Sequence, residues 1–292
     1  MDKKQLDALI SLLDDPDEEV FNHVKIKIIS FGKDVIPFLE NAWETSLNSK
    51  IQNRIENIIH NIQFDKNSKE LKEWIQLGGH DLLTGAILVT QYQYPDLDIE
   101  KMKAQIDRIK QDVWLELNPN LTALEKVKII NHIFFDVHGF SGNTANFHAP
   151  QNSYINTVLE AKKGSPLSLS ILYAVIAQSL NIPVFGVNLP EHFILAYVDE
   201  NGITPETDTK DKKKVLFYIN PFSKGSVFSN KKIDAFLKQL KLDKSPSYYE
   251  PCSNVQIVLR LIKNLIVSFE KFSYSHKMEE MQTLLNILGY EN

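Results

Sequence analysis

The chain holds a single cysteine, Cys252, among 292 residues. One cysteine excludes an internal disulfide framework and every CxxC metal or redox motif. Positive charge is also short: 32 Lys and Arg stand against 37 Asp and Glu, a net charge of −5. A chain with that balance is not built as a whole to bind nucleic acid. Its lysine runs at 161–163, 211–214 and 230–232 read as solvated loop faces. Its aromatic residues are not interleaved with basic ones, which argues against single-strand binding. Long hydrophobic runs are missing too. The longest, Ile171 to Ala177, is far below the roughly 20 residues of a membrane span. The first 20 residues turn acidic and amphipathic and lack a signal peptide's apolar core, so a cytoplasmic location and no membrane partner are expected. No GxxxxGK(S/T), GxGxxG or HExxH run occurs, so no nucleotide, zinc-protease or other cofactor chemistry is indicated.

What is present is an ordinary globular composition, 43% hydrophobic and 24% charged, with ample length for one large domain and an appendage. Residues 1–62 read as short amphipathic helices. Leu6, Ile10 and Leu13 share a face, Asp14-Asp15-Pro16-Asp17 stops one helix and starts the next, and Gly32 makes a second break. The pattern is similar to a HEAT-type repeat with a partial one after it, though an ordinary helical layer fits equally. A lone repeat would need the rest of the protein to bury its face. The polar stretch 63–69 is expected to be a linker. Helices follow to Phe135, the last of them opened by the capping box Thr122-Ala123-Leu124-Glu125. Residues 138–150, rich in Gly, Asn, Ser and Pro, predict an ordered loop.

From Asn152 onward the pattern changes. A short helix to Lys162 ends at Gly164, and Ser165 with Pro166 is a strong N-cap pair. The helix from Pro166 to Leu180 is apolar on nearly every side, the mark of a buried central helix. Strands are predicted at 184–189, 193–198 and 215–219; Asn201-Gly202 begins the link between the last two, and the short links favour an antiparallel sheet. A helix pair at 255–269 and 278–288 closes the chain.

This order carries a frame for chemistry. A nucleophile at the start of a buried helix gains from exposed N–H groups and the helix dipole. A histidine on a neighbouring strand is its base, and a third group on the next strand orients the ring. The frame falls on the helix start 165–168, His192, and Asn220-Pro221. His132, His138 and His148, with Asp136, match no common metal spacing; structural or surface roles are expected and no metal site is assigned. Asn143 and Asn152 flank the loop as locking amides, or line the cleft beside His192.

On these residues the chain resembles the transglutaminase-like superfamily. Gly139-Phe140-Ser141-Gly142-Asn143, Asn152-Ser153-Tyr154-Ile155, Gly164-x-Pro166-Leu167-Ser168-Leu169 and Pro190-x-His192-Phe193-Ile194 are similar to its bacterial invasion-regulator-type branch, which also occurs as a module in a eukaryotic F-box protein. The resemblance covers roughly residues 70–270. It implies an α+β fold: a papain/transglutaminase-like core of one buried helix on an antiparallel sheet, with added N- and C-terminal helices. The implied domains are a HEAT-like segment at 1–62, the transglutaminase-like domain at 70–250, and a helix pair at 251–292 in which a tetratricopeptide-like tail survives as a remnant. It also exposes a departure. The family's cysteine falls on Pro166, which has no nucleophile. Ser168 is the best substitute, with Ser165 and Ser170 weaker, and the family's aspartate falls on Asn220.

The expectation is therefore a non-catalytic protein-interaction or regulatory module with a protein partner and open oligomeric state. The rival is a serine-dependent amidase or acyl transferase using Ser168, His192 and Asn220, with Ser165, Asn143 and Asn152 lining its cleft. A third reading makes residues 1–62 a scaffold that holds a partner.

Overall fold

Four helices open the chain, and the reason each stops is local. In the computed structural model, which describes residues 3–199 and 214–290, α1 spans Lys3–Ser11 and α2 spans Glu18–Ile29. Between them, Asp17 accepts the Glu19 N–H at 2.8 Å and so caps α2. α3 spans Ile36–Thr45 and α4 Ser49–Gln76. Leu6, Leu13, Val24, Ile28, Leu39 and Ile58 pack on one another as a core of their own. Arg54 of α4 stitches the first turn: its Nη1 donates to the carbonyls of Leu13 and Asp15 at 2.8 and 2.9 Å, and its Nη2 to Glu18 at 2.6 Å. The chain divides into two compact units at Glu73/Trp74.

The linker expected at 63–69 is instead the middle of α4. Residues 49–76 contain no Gly or Pro, and polar residues such as Lys and Gln are good helix formers. Lys66 and Glu70 pair at i, i+4 across 3.7 Å. Gly78 and Gly79, both at positive φ, follow the helix.

The second unit builds helices before its sheet: α5 (Leu82–Gln93), α6 (Ile99–Glu116) and α7 (Ala123–Asn131). The Thr122–Glu125 capping box forms as the sequence predicts. A π-helical turn at His132–Val137 leads into β1 (Ser141–Gly142), which pairs in parallel with β2 (Lys163–Gly164). Between those two short strands lies α8 (Ile155–Ala161). The buried helix α9 spans Pro166–Ser179. Its sheet is antiparallel and runs in chain order: β3 (Val184–Asn188), β4 (Phe193–Val198), β5 (Val215–Asn220) and β6 (Ser226–Phe228). Asn201-Gly202 and most of the 211–214 lysine run lie outside the described residues.

α9 packs against β3 and β4. The other sheet face, carrying Val187, Ile194, Ala196 and Tyr218, is covered by Ile233 and Leu237 of α10 (Asn230–Gln239). That helix was not expected. Its first turn is the 230–232 lysine run, and the apolar spacing Ile233, Phe236, Leu237 drives it onto the sheet. α11 (Asn254–Lys271) and α12 (Ser275–Ile287) form the closing pair.

Candidate functional site

The site is assembled where two short glycine-bearing segments meet. The Ser141 N–H donates to the Lys162 carbonyl at 2.9 Å and the Asn143 N–H to the Gly164 carbonyl at 3.0 Å. This ladder brings the 138–150 loop beside the start of α9. Asn152, 4% exposed, then holds the loop shut: its Nδ2 donates to the carbonyls of Asn146 and Phe147 at 2.7 and 3.1 Å. Its Oδ1 accepts from Asn143 Nδ2 at 2.9 Å. Both amides act as the loop locks expected of them.

Ser165 caps α9 in a reciprocal box with Ser168. The Ser168 N–H donates to Ser165 Oγ at 3.1 Å, and Ser168 Oγ accepts the Ser165 N–H at 2.9 Å. Ser168 Oγ donates in turn to the Asn152 carbonyl at 2.5 Å. Ser168 is fully buried. Its hydroxyl is therefore spent inside the protein, on the cap and the loop. Ser170 is also buried and donates to the Pro166 carbonyl at 2.7 Å.

His192 lies across from this helix start and turns its ring away. Glu191, at φ +58°, makes a tight turn in which the His192 N–H donates to the Pro190 carbonyl at 2.7 Å. Side chains alternate along β4, so His192 shares the side of Ile194 and Ala196, the side that α10 covers. Its exposed imidazole packs on Phe236 of α10, ring centroids 4.8 Å apart. Asn220 serves a turn of its own: its Oδ1 accepts the Phe222 N–H at 3.1 Å, and its Nδ2 donates to Ser223 Oγ at 3.2 Å. Among the described residues no hydrogen bond joins His192 to Ser168 or to Asn220. The triad expected as the enzymatic alternative is not assembled, because a capping box, an aromatic contact and an Asx turn each claim one member.

A cleft of about 710 Å³ does lie here. Ser165, Pro166 and Asn152 form one wall, with His192 at its lip. Arg260, Asn264, Ser268 and Lys271 of α11 form the other. Asn143 lies behind Asn152 and does not line it. The α11 wall escaped the sequence reading because its residues lie about a hundred positions downstream; the i, i+4, i+8, i+11 spacing of Arg260, Asn264, Ser268 and Lys271 was the available signal. Burial lowers the Arg260 pKa, since desolvation disfavours the cation.

His132, His138 and His148 have separate partners. His138 Nε2 meets Asp112 at 2.7 Å, His132 Nδ1 meets Asp136 at 3.5 Å, and His148 Nε2 accepts from Lys271 Nζ at 2.7 Å.

Comparison with known proteins agrees with this architecture. A UPF0162 protein of Xylella fastidiosa is 31% identical over 122 residues, 42% of this chain and 43% of that protein. Human F-box only protein 21 is 26% identical over 234 residues, 72% of this chain and 36% of that protein. A UPF0162 protein of Vibrio cholerae is 24% identical over 207 residues, 69% of this chain and 72% of that protein. The chain thus spans less than half the length of the first two. No solved structure matches it. No helix among the described residues is long and apolar enough to cross a membrane. Residues 100–263, more than half of the chain, match the model of the transglutaminase-like superfamily, and with its buried helix on an antiparallel sheet the chain belongs to that superfamily.

Proposed function

We propose that this protein is a non-catalytic member of its superfamily that acts as a protein-interaction or regulatory module. The observation that carries the reading is the buried Ser168 hydroxyl, donated to the Asn152 carbonyl at 2.5 Å, behind a proline at the family's cysteine position. A serine is weak at its free pKa and needs a base in hydrogen-bond reach. Here the hydroxyl faces a carbonyl and the imidazole faces Phe236. A relative that is part of an F-box protein fits a module joined to other domains. The partner is taken to be a protein.

The test combines labelling with turnover. The full chain is incubated with a fluorophosphonate and, separately, with glutamine peptides and a primary amine. The expected result is no adduct on Ser165, Ser168 or Ser170 by mass spectrometry, and no ammonia release. A Ser168 adduct that disappears in His192→Ala would establish the serine-enzyme alternative instead.

A further inference from the structure

The cleft is cationic in a chain whose net charge is −5. Arg260 is half-buried on its wall. Its Nη1 donates to Asn188 Oδ1 at 2.8 Å and its Nε to Asn264 Oδ1 at 3.3 Å. Both acceptors are neutral amides, and among the described residues no carboxylate pairs with it. A guanidinium drawn into protein is costly unless an anion answers it. Lys271, on the same face of α11, donates to the His148 ring and likewise meets no carboxylate among the described residues. Between them stands Ser268, 8% exposed and lining the cleft, its hydroxyl without a partner among the described residues. The opposite wall is the start of α9, whose N–H end favours negative charge. The one carboxylate in the lining is Glu191, exposed on the turn at the lip.

The remaining lining separates a peptide from a bare anion. Phe147 and Val267 stand 44% and 47% exposed at the cleft, and apolar surface of that kind adds nothing to the binding of inorganic phosphate. A planar guanidinium fork suits a carboxylate, and the space is large enough for several side chains.

We infer that the cleft binds an acidic peptide segment, with one carboxylate at Arg260 and a second near Ser268 and Lys271, about 16 Å along α11 from the first, facing the start of α9, and a neighbouring apolar side chain on Phe147 and Val267. This rests on the interaction-module reading and names the chemistry of its partner.

The test is fluorescence anisotropy of a fluorescein-labelled Gly-Glu-Leu-Glu-Phe-Gly peptide titrated with the full chain at low salt, beside its Gln-for-Glu twin. The acidic peptide is expected to bind about tenfold or more tightly than the twin, and to weaken as salt rises. Arg260→Met and the exposed Lys271→Met are each expected to weaken it about tenfold. Arg260→Met also frees two amides, so Lys271→Met, with an unchanged melting midpoint, carries the test if the first variant unfolds. Equal affinity for the two peptides overturns the inference, as does no binding up to ~1 mM, or wild-type binding by a folded Lys271→Met. Inorganic phosphate or ATP displacing the peptide at lower concentration than glutamate does would overturn it in favour of a phosphate ligand. The peptide's mass is read after each titration. Cleavage would sink the non-catalytic reading alone, whereas absent or charge-independent binding sinks the peptide inference alone.

Discussion

The Ser168 hydroxyl donates to the Asn152 carbonyl across 2.5 Å, joining the first turn of the central helix to the loop that precedes it. The same oxygen accepts the Ser165 N–H, so removing it takes away both hydrogen bonds and leaves the Ser165 N–H and the Asn152 carbonyl only their longer mutual bond at 3.2 Å. Ser168→Ala is expected to lower stability by about 1–3 kcal/mol, read as a shift in urea midpoint at constant m-value. A catalytic serine would show the opposite balance, with stability kept and an activity lost.

Asn152 extends that link to the loop through its side chain. Asn152→Ala removes two donated hydrogen bonds and one accepted from Asn143, at a cost of about 2–3 kcal/mol. The loss should be local first: amide exchange in residues 143–150 is expected to accelerate before that of α9. Uniform acceleration across both segments would mean that the loop has no separate opening.

The capping signals show how far sequence chemistry reached. Thr122 with Glu125, and Ser165 with Pro166, are local devices, and both helices begin where those residues dictate. The all-round apolar stretch after Pro166 likewise gave the central helix and hence the core. Legibility failed where a decision is made between distant residues. The 63–69 stretch is polar enough for a loop, but nothing in it breaks a helix. α10 hides behind its lysines because three apolar residues matter only once the sheet is there to receive them. The side taken by His192 depends on Glu191 at φ +58°, a conformation that non-glycine residues rarely adopt. Arg260 entered no expectation, since only the tertiary fold brings α11 to the cleft.

Gly225 lies under Asn131, and the contact leaves no room for a side chain. Its φ is +68°, and a Cβ there would meet Asn131 Oδ1 at 1.9 Å. Asn131 cannot retreat freely, because its Nδ2 donates to the Gly225 carbonyl at 2.9 Å and its Oδ1 accepts from the Tyr173 hydroxyl at 2.9 Å. Gly225→Ala is expected to cost at least about 2 kcal/mol. A melting midpoint within a degree of wild type would show that the turn has another way to pack.

Pro166→Cys tests whether the frame alone can rebuild reactivity. The position lines the cleft at the first turn of α9, where the helix dipole lowers a thiol pKa. Iodoacetamide is expected to alkylate the introduced thiol faster than Cys252 at pH 7. Amide turnover should stay absent, because His192 packs on Phe236. Measurable turnover that a further His192→Ala change removes would mean that the ring, already at the lip of the cleft, turns from Phe236 toward residue 166.

Cys252 supplies the pH prediction. Burial pushes its thiol up from the ordinary 9.0 to about 11, against the smaller lowering effects of a backbone hydrogen bond and of Arg260. A raised folded-state pKa means that the native protein holds this proton more tightly than the unfolded chain. The stabilisation is therefore complete below pH 9 and is lost as pH climbs through about 11. Native Cys252 should alkylate at pH 8 at least about tenfold more slowly than the same residue in urea, since the thiolate is the nucleophile. The native rate should still be rising at pH 10, where the unfolded rate has levelled. A native profile that levels near pH 9 would show that the thiol is not desolvated in the folded protein.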